Sequence, residues 1–315
     1  MESEQLAAAR SIQRQTGQTF HLATRLLPER VRHPTYVLYG FFRIADEVVD
    51  DPAGRSPEEQ LERLESIRAR ALGDEPTDDP VLSAFQAVRD RYEIPDREIH
   101  AFIDAMAADI TRDRYSTRDE LDDYMRGSAA AVGAMMTAII EPDEVDVALP
   151  HARRLGEAFQ LTNFLRDVRE DVVERGRVYV PEESLEVYGT DHGAIERLEF
   201  SPAVRLAIAD ELRRTEGRYH EGVAGIRYLP EDCQFAIVLA AVLYAEHHRL
   251  IRARGYDVLT TRPSLSRYRM LFCLVRTWWL WRWNNDPVAV FERASAVPTE
   301  GPEETTSPGS WLPTR

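Results

Sequence analysis

The dominant pattern along the chain is helical, because apolar residues recur every three to four positions over long stretches. No series of strand-like segments joined by hairpin turns interrupts that pattern. The sequence therefore predicts an all-α, single-domain helical bundle over residues 1–297. The "SPEE" and "STRDE" segments are typical helix starts, with Ser or Thr as the cap and acids in the first turn. The predicted helices cover residues 3–17, 34–50, 57–72, 80–92, 96–112, 117–140, 147–171, 202–226, 232–254 and 264–284.

The last 18 residues have a different composition. "PTEGPEETTSPGSWLPTR" is rich in Pro, Gly, Ser, Thr and Glu and has little apolar content. Such a segment cannot bury enough apolar surface to offset the entropy lost on ordering. We therefore predict a disordered C-terminal tail over residues 298–315.

One predicted helix combines a polar stripe with apolar surroundings. In "YGFFRIADEVVD", Tyr39, Arg43, Asp46 and Asp50 are spaced 4, 3 and 4 apart and share one side of the helix. Aliphatic and aromatic residues cover most of the remaining circumference, which predicts burial there. The alternative is a solvated face on which Arg43 pairs with acids of its own helix.

A second helix repeats the arrangement. In "LGEAFQLTNFLRDVREDVVERGRVYVP", Gln160, Asn163, Asp167 and Asp171 are spaced 3, 4 and 4 apart within an apolar helix. Two such helices facing each other would bring four aspartates to one cavity. Carboxylate oxygens without His or Cys suit Mg²⁺. The alternative is a buried network of aspartates and arginines that holds no metal.

An aspartate-rich cavity of this kind makes chemical sense with an anionic ligand. Mg²⁺ bridging carboxylates and a diphosphate reverses their repulsion, and Arg43 and Arg166 can add charged hydrogen bonds. Together they would stabilise a leaving diphosphate. The apolar remainder would hold a hydrocarbon chain and shield a carbocation from water.

Composition narrows the function further. The 315-residue chain has a formal net charge of −15, and all 39 of its basic residues are arginine. Adaptation to high salt and codon bias in a GC-rich genome explain the missing lysine equally well, and the acid surplus favours the first. So acidic a chain is unsuited to binding nucleic acid.

Cysteine usage and hydropathy bear on the compartment. The only cysteines, Cys233 and Cys273, are far apart and predict neither a disulfide framework nor a zinc site. The N-terminus has no apolar signal region, and the longest uncharged apolar run, residues 235–245, is too short to span a bilayer. We therefore expect a cytoplasmic protein without a spanning anchor.

The two aspartate motifs resemble the signatures of the phytoene synthase and squalene synthase family, the head-to-head prenyl transferases of the isoprenoid synthase fold. "TGQTFHLATRLLPE" resembles the family's substrate-flap segment, and "DDYMRGSAAAVGAMM" resembles its central helix. "LYAEHHRLIRARGYDVLTTRPSLS" is similar to its C-terminal helix. The resemblance extends from about residue 16 to residue 269 and implies a helical bundle around a central cavity.

The resemblance implies that two prenyl diphosphates are joined through a cyclopropylcarbinyl diphosphate. It assigns Mg²⁺, for which Mn²⁺ is a candidate substitute, to Asp46, Asp50, Asp167 and Asp171. Tyr124 corresponds to a tyrosine that steadies the cation or assists proton removal; its alternative, like that of Tyr244, is a core tyrosine. The implied substrate-binding positions are Thr19, Phe20, Tyr39, Arg43, Gln160, Asn163, Arg166, Tyr244 and Arg262.

Within the family, "GRVYVPEESL" and "ADEVVDDP" are closer to members that make phytoene from two C20 geranylgeranyl diphosphates without NADPH. The alternative is squalene or dehydrosqualene synthesis from two C15 farnesyl diphosphates, with NADPH for squalene. A head-to-tail prenyl transferase or terpene cyclase is disfavoured by "QLTNFLRDVRED". A non-catalytic protein that binds prenyl diphosphates is the remaining alternative.

Two residues depart from the family pattern, and one helix bears on partners. Ala130 replaces a frequent Gly, which predicts a slightly narrower cavity. Arg169 replaces a small residue, and we expect it to pair with neighbouring acids. "MLFCLVRTWWLWRW" has four tryptophans and predicts packing in the bundle, with peripheral contact at the inner face of the membrane as the alternative. Downstream carotenoid enzymes are further candidate partners.

Overall fold

The computed structural model describes residues 22–50 and 54–299, and helices account for most of them. The only extended pairing within these ranges is an isolated bridge between Arg114 and Val178. The all-α prediction is therefore confirmed. The predicted helix at residues 3–17 and nearly all of the predicted tail lie outside the described residues. The described α-helices are α1 Glu29–Asp50, α2 Pro57–Leu72, α3 Pro80–Tyr92, α4 Asp96–Thr111, α5 Arg118–Met125, α6 Ala131–Ile140, α7 Val145–Glu170, α8 Glu182–Glu186, α9 His192–Glu196, α10 Pro202–Ala224, α11 Glu231–Ala253, α12 Arg267–Trp283 and α13 Pro287–Ala294.

Local signals explain several of these boundaries. Ser56 and Glu59 form a capping box at the start of α2, and the Thr117 side chain accepts a hydrogen bond from Glu120 N at the start of α5. Both starts were predicted. The predicted helix 117–140 is divided, because a π-helical turn, Arg126–Ala130, separates α5 from α6. A second π-helical turn, Asp171–Arg175, follows α7.

The start of α1 differs from the sequence prediction. The helix begins at Glu29 and has Pro34 in its interior, whereas Pro34 was expected to begin it. Proline lacks the N–H that would bond to the carbonyl four residues earlier. The Tyr92 hydroxyl on α3 donates to that carbonyl, Arg30 O, at 3.0 Å. A tertiary contact thus satisfies the group that proline leaves without a partner.

Three apolar clusters hold the bundle together. The first lies among α1 to α6, where Phe41 stacks on Phe85 with ring centroids 4.0 Å apart. The second joins α7, α10, α11, α12 and α13, and the third lies beneath α8 and α9. Helices α1 and α7 contribute to these clusters while a side of each faces an internal cavity. In the described part of the chain, no helix combines the length and apolar character needed to cross a bilayer.

Candidate functional site

A cavity of about 900 Å³ lies inside the bundle. Its volume is at the upper end of the range for small-molecule sites, about 300–1,000 Å³. Both aspartate-bearing helices face it. The predicted site residues that line it are Tyr39, Asp46, Asp50, Tyr124, Gln160, Asn163, Arg166, Asp167, Asp171, Tyr244 and Arg262.

The lining positions of α1 follow from its helical period. Asp46 and Asp50 lie about 20° to either side of Tyr39 around an ideal helix, so the three side chains share one direction. Phe41, Ala45 and Val48 on the other sides are buried in the first apolar cluster. Burying these faces leaves the carboxylates directed into the cavity.

Arg43 does not face the cavity as the other residues of its stripe do. Its Nε lies 3.3 Å from Glu47 Oε1, one helical turn further along, and Arg43 is not among the described residues lining the cavity. Arg43 lies about 40° from Tyr39 around the helix, at the edge of the stripe. The intrahelical pair that was the alternative for this stripe is therefore present, but only for Arg43 and Glu47.

The second stripe carries a dense set of ion pairs. Asp167 Oδ1 accepts hydrogen bonds from Arg166 Nε and from Arg262 Nε, both at 2.7 Å. Arg262 also reaches Glu170, with Nη1 2.6 Å from Oε2. Arg262, which the resemblance aligned less securely, thus lies beside the predicted metal ligands.

Arg175 connects the two stripes. Its Nε lies 3.4 Å from Asp50 Oδ1, and its Nη1 lies 3.2 Å from Asp171 Oδ1. The ends of α1 and α7 therefore meet through one guanidinium. This is the aspartate–arginine network considered as an alternative, and it occupies the region where a cation was predicted.

Two of the carboxyl groups have raised pKa values. Burial, followed by repulsion from Asp50, raises the pKa of Asp46 to about 7. Burial also raises the pKa of Asp171 to about 7, opposed by Arg175 and reinforced by Asp167. Both shifts indicate that the neighbouring arginines do not fully offset the burial of these carboxyl groups and their repulsion by nearby acids. A bound cation would lower both pKa values.

Asp109 on α4 is a cavity residue that the sequence prediction missed. Its Oδ2 accepts a hydrogen bond from the Tyr124 hydroxyl at 2.8 Å, and its Oδ1 lies 3.5 Å from the Tyr179 hydroxyl. Burial, opposed by Arg177, raises the pKa of Asp109 to about 6. A signal existed, because Phe102, Met106 and Asp109 share one side of α4, as in the other two stripes.

Tyr124 lies within an aromatic cluster at the cavity wall. Tyr179 stacks on Phe164 with ring centroids 3.9 Å apart, and Tyr124 lies 5.9 Å from Tyr179. Tyr124 is buried with its hydroxyl satisfied and also lines the cavity. It is therefore a core tyrosine that also faces the cavity, and its role in steadying the cation or assisting proton removal stays a prediction. Phe159 on α7 stacks on Tyr244 on α11, with ring centroids 4.4 Å apart.

The remaining sequence predictions have mixed outcomes. Thr19 and Phe20 lie outside the described residues. Ala130 is buried but does not line the cavity, so the expected narrowing is not seen there. Arg169 Nη1 donates to Leu259 O at 2.8 Å, whereas a neighbouring acid was expected as its partner. Leu259 lies on the loop after α11, far from Arg169 along the chain, so helical spacing could not predict this contact.

The spacing of the acidic side chains bears on the predicted Mg²⁺ site. Within residues 22–50 and 54–299, no group of three or more His, Cys, Asp or Glu side chains is arranged closely enough to hold a metal ion. The donor types nevertheless fit Mg²⁺, since the four aspartates of the two stripes line the cavity and supply hard oxygen atoms. The raised pKa values of Asp46 and Asp171 favour a cation at the same place.

Known proteins resemble this chain over most of its length. A phytoene synthase of Cereibacter sphaeroides is 34% identical, covering 86% of this chain and 79% of that protein. A 15-cis-phytoene synthase of a Synechocystis species is 32% identical, covering 85% of this chain and 83% of that protein.

Solved structures share the fold. A dehydrosqualene synthase in complex with a ligand superimposes with a TM-score of 0.80 at 24% identity, covering 90% of this chain and 98% of that one. A squalene synthase from Alicyclobacillus acidocaldarius has a TM-score of 0.71 at 26% identity, covering 81% and 96%. The sequence model of the squalene/phytoene synthase family matches residues 13–269. The chain therefore belongs to the squalene/phytoene synthase family.

Proposed function

We propose that this protein is a phytoene synthase. It joins two geranylgeranyl diphosphates head to head, through a cyclopropylcarbinyl diphosphate, to phytoene in carotenoid biosynthesis. The observation that carries the proposal is a single cavity lined by both aspartate stripes and by apolar side chains. Thr35 and Asp50 both line it and are separated by about 22 Å along α1, so the cavity is long.

The polar end of the cavity would bind the diphosphates. We assign Mg²⁺ to Asp46, Asp50, Asp167 and Asp171, where it would supply the positive charge that attracts a diphosphate and stabilises it as a leaving group. Because Arg175 joins Asp50 to Asp171, this arginine is well placed to limit their repulsion before the ligands bind. Direct diphosphate contacts are assigned to Tyr39, Gln160, Asn163, Arg166, Tyr244 and Arg262.

The apolar remainder would bind the prenyl chains and exclude water from the cation. Leu38, Met106, Val132 and Met136 are among its lining residues. The aromatic faces of Phe164 and Tyr179 can stabilise a positive charge through their π electrons. Asp109 fixes the direction of the Tyr124 hydroxyl, so the pair is suited to the steadying or proton-removing role implied for Tyr124.

Synthesis of dehydrosqualene or squalene from two farnesyl diphosphates is the second candidate. The superposition on a dehydrosqualene synthase favours it, but at 24% identity that likeness concerns the fold. The two phytoene synthases described above are 34% and 32% identical, which favours the C20 substrate. No NADPH is required for the phytoene product, whereas squalene formation consumes it.

Product analysis distinguishes these candidates. Purified protein is incubated with geranylgeranyl or farnesyl diphosphate and Mg²⁺ or Mn²⁺, with and without NADPH, and the hydrocarbons are separated. Phytoene without NADPH supports the proposal. Squalene formed only with NADPH, or dehydrosqualene as the main product, overturns the substrate assignment. Binding without turnover overturns the assignment as an enzyme.

The metal assignment has its own test. Asp46→Asn and Asp167→Asn should each lower turnover by about 1,000-fold or more while the circular dichroism spectrum is unchanged. Asp146→Asn is the matched control, since Asp146 is exposed in the first turn of α7, the helix that bears Asp167. Near-normal turnover in both site variants would disprove the metal assignment.

A further inference from the structure

The outer side of α12 exposes a continuous apolar stripe. Seven large side chains on this helix are 48–88% exposed, and they follow one another at helical spacing. The opposite side of α12, with Met270, Cys273 and Thr277, is buried against the bundle. The exposed side chains, here called the α12 stripe, are Tyr268, Leu271, Phe272, Val275, Trp278, Trp279 and Trp283.

The charge around the α12 stripe is opposite to that of the protein. Residues 258–285 contain five arginines and no Asp or Glu, although the whole chain has a net charge of −15. Arg267, Arg276 and Arg282 are exposed on α12 itself. An amphipathic helix with aromatic residues, arginines and no acids has the composition of an interfacial membrane helix.

The α12 stripe lies next to the substrate cavity along the chain. Arg262, whose guanidinium binds Asp167, and Leu265 line the cavity just before α12 begins. Met270, on the buried side of α12, also lines it. The helix therefore separates the cavity from the exposed aromatic surface.

We propose that the α12 stripe docks on the surface of an anionic lipid bilayer. Trp278, Trp279 and Trp283 enter the headgroup region, and the arginines contact anionic headgroups. If the chain makes phytoene, a water-insoluble hydrocarbon formed in the cavity could then pass into lipid beside α12. The docking itself does not depend on which hydrocarbon is formed.

Charge disfavours a second copy of this chain as the occupant. In a two-fold contact through α12, each arginine-rich surface would face the same surface of its partner. Like charges brought together at an interface oppose association. An anionic bilayer offers both an apolar layer and negative charge, so it complements both properties of the stripe.

Vesicle flotation tests the proposal without substrate. The full chain should float with vesicles of phosphatidylcholine and phosphatidylglycerol and bind those of phosphatidylcholine alone more weakly. Trp279→Ala with Trp283→Ala should weaken partitioning ~10-fold or more through lost apolar contact. Arg267→Gln with Arg282→Gln should weaken it by roughly 10-fold, only on anionic vesicles and only at low salt.

Matched controls use an exposed pair on another helix. Leu206→Ala with Arg205→Gln removes an exposed apolar residue and an exposed arginine from α10, and it should leave flotation unchanged. Equal flotation of all variants overturns the proposal. The proposal is also overturned if the native protein does not bind vesicles and sedimentation shows a dimer that only the tryptophan variant loses. Turnover in detergent, measured separately, tests the reaction and not the docking.

Discussion

Asp46 shows how one partly buried carboxyl group makes the stability of the fold depend on pH. Its pKa is about 7 in the folded protein and near 3.8 when unfolded, mainly because burial disfavours the charged form. Between these pH values the folded state binds the proton more tightly, so this group's contribution to stability falls as pH rises through the interval. Above pH 7 the full cost of the buried charge remains.

Replacing Asp46 with Asn should therefore stabilise the metal-free protein in a pH-dependent way. We expect a gain on the order of 2 kcal/mol at pH 8 and much less at pH 4.5. Thermal unfolding in EDTA at both pH values measures it, with Asp146→Asn as the exposed control. An equal change in the free energy of unfolding at both pH values would contradict this origin.

Asp109 provides a second prediction at the residue scale. Asp109→Asn removes the charge that holds the Tyr124 hydroxyl, so the direction of that hydroxyl is less well fixed. If Tyr124 acts on the reacting carbons, kcat should fall about 100-fold while KM changes little. Asp104→Asn, at an exposed position of the same helix, is the control. A change confined to KM would instead assign Asp109 to substrate binding.

At the scale of elements, α10 packs closely on α7. A Cβ on Gly222 would stand 2.7 Å from Leu155 N and 2.8 Å from its Cα, whereas nothing lies within 4 Å of a Cβ on Gly217. Both glycines lie in α10. The close approach of the two helices at Gly222 therefore requires a residue without a side chain. Gly217 has open space beside it, so a side chain is tolerated there.

The two glycines should respond in opposite directions to alanine. Gly222→Ala forces α10 and α7 apart and should destabilise the protein by about 2–3 kcal/mol. Gly217→Ala adds only helix propensity and should stabilise it by up to about 1 kcal/mol. Urea unfolding of both variants provides the comparison. Destabilisation of similar size in both would mean that helix packing at Gly222 is not the cause.

At the scale of the whole molecule, the cavity is lined by residues from α1, α4, α5, α6, α7, α10, α11, α12 and the loop before α12. A ligand that binds the two aspartate stripes therefore connects the first and second halves of the chain. Binding to the folded state alone raises stability by about 2.7 kcal/mol when the ligand is at 100 times its Kd.

Mg²⁺ and inorganic diphosphate together should raise Tm by about 5 °C or more. Each alone should do much less, because the metal needs the diphosphate oxygens and the diphosphate is repelled by the aspartates. Scanning fluorimetry with Mg²⁺, diphosphate, both, or neither measures this coupling. In Asp46→Asn with Asp171→Asn the joint effect should disappear. Additive shifts in the native protein would argue against a shared site.

Much of this organisation was encoded locally. Helical periodicity predicted the bounds of α2 and α3 at both ends, because Ser56, Pro57 and Pro80 are strong start signals and short-range hydrogen bonds suffice to form a helix. The same periodicity placed Asp46 and Asp50 on one side of α1. The sequence could therefore predict the features that depend only on a residue's position around its own helix.

Contacts between distant segments required the tertiary structure. Only the packed bundle brings Arg175 between Asp50 and Asp171, directs Arg169 to Leu259, and supplies Tyr92 for the carbonyl opposite Pro34. Burial and the charge of Asp50 raise the pKa of Asp46, and the desolvation depends on what the folded chain places around the carboxyl group. The sequence by itself determined the helices and which carboxylates share a side, because both are properties of local geometry. The tertiary structure decided their partners and charge states, because these depend on distances across the fold.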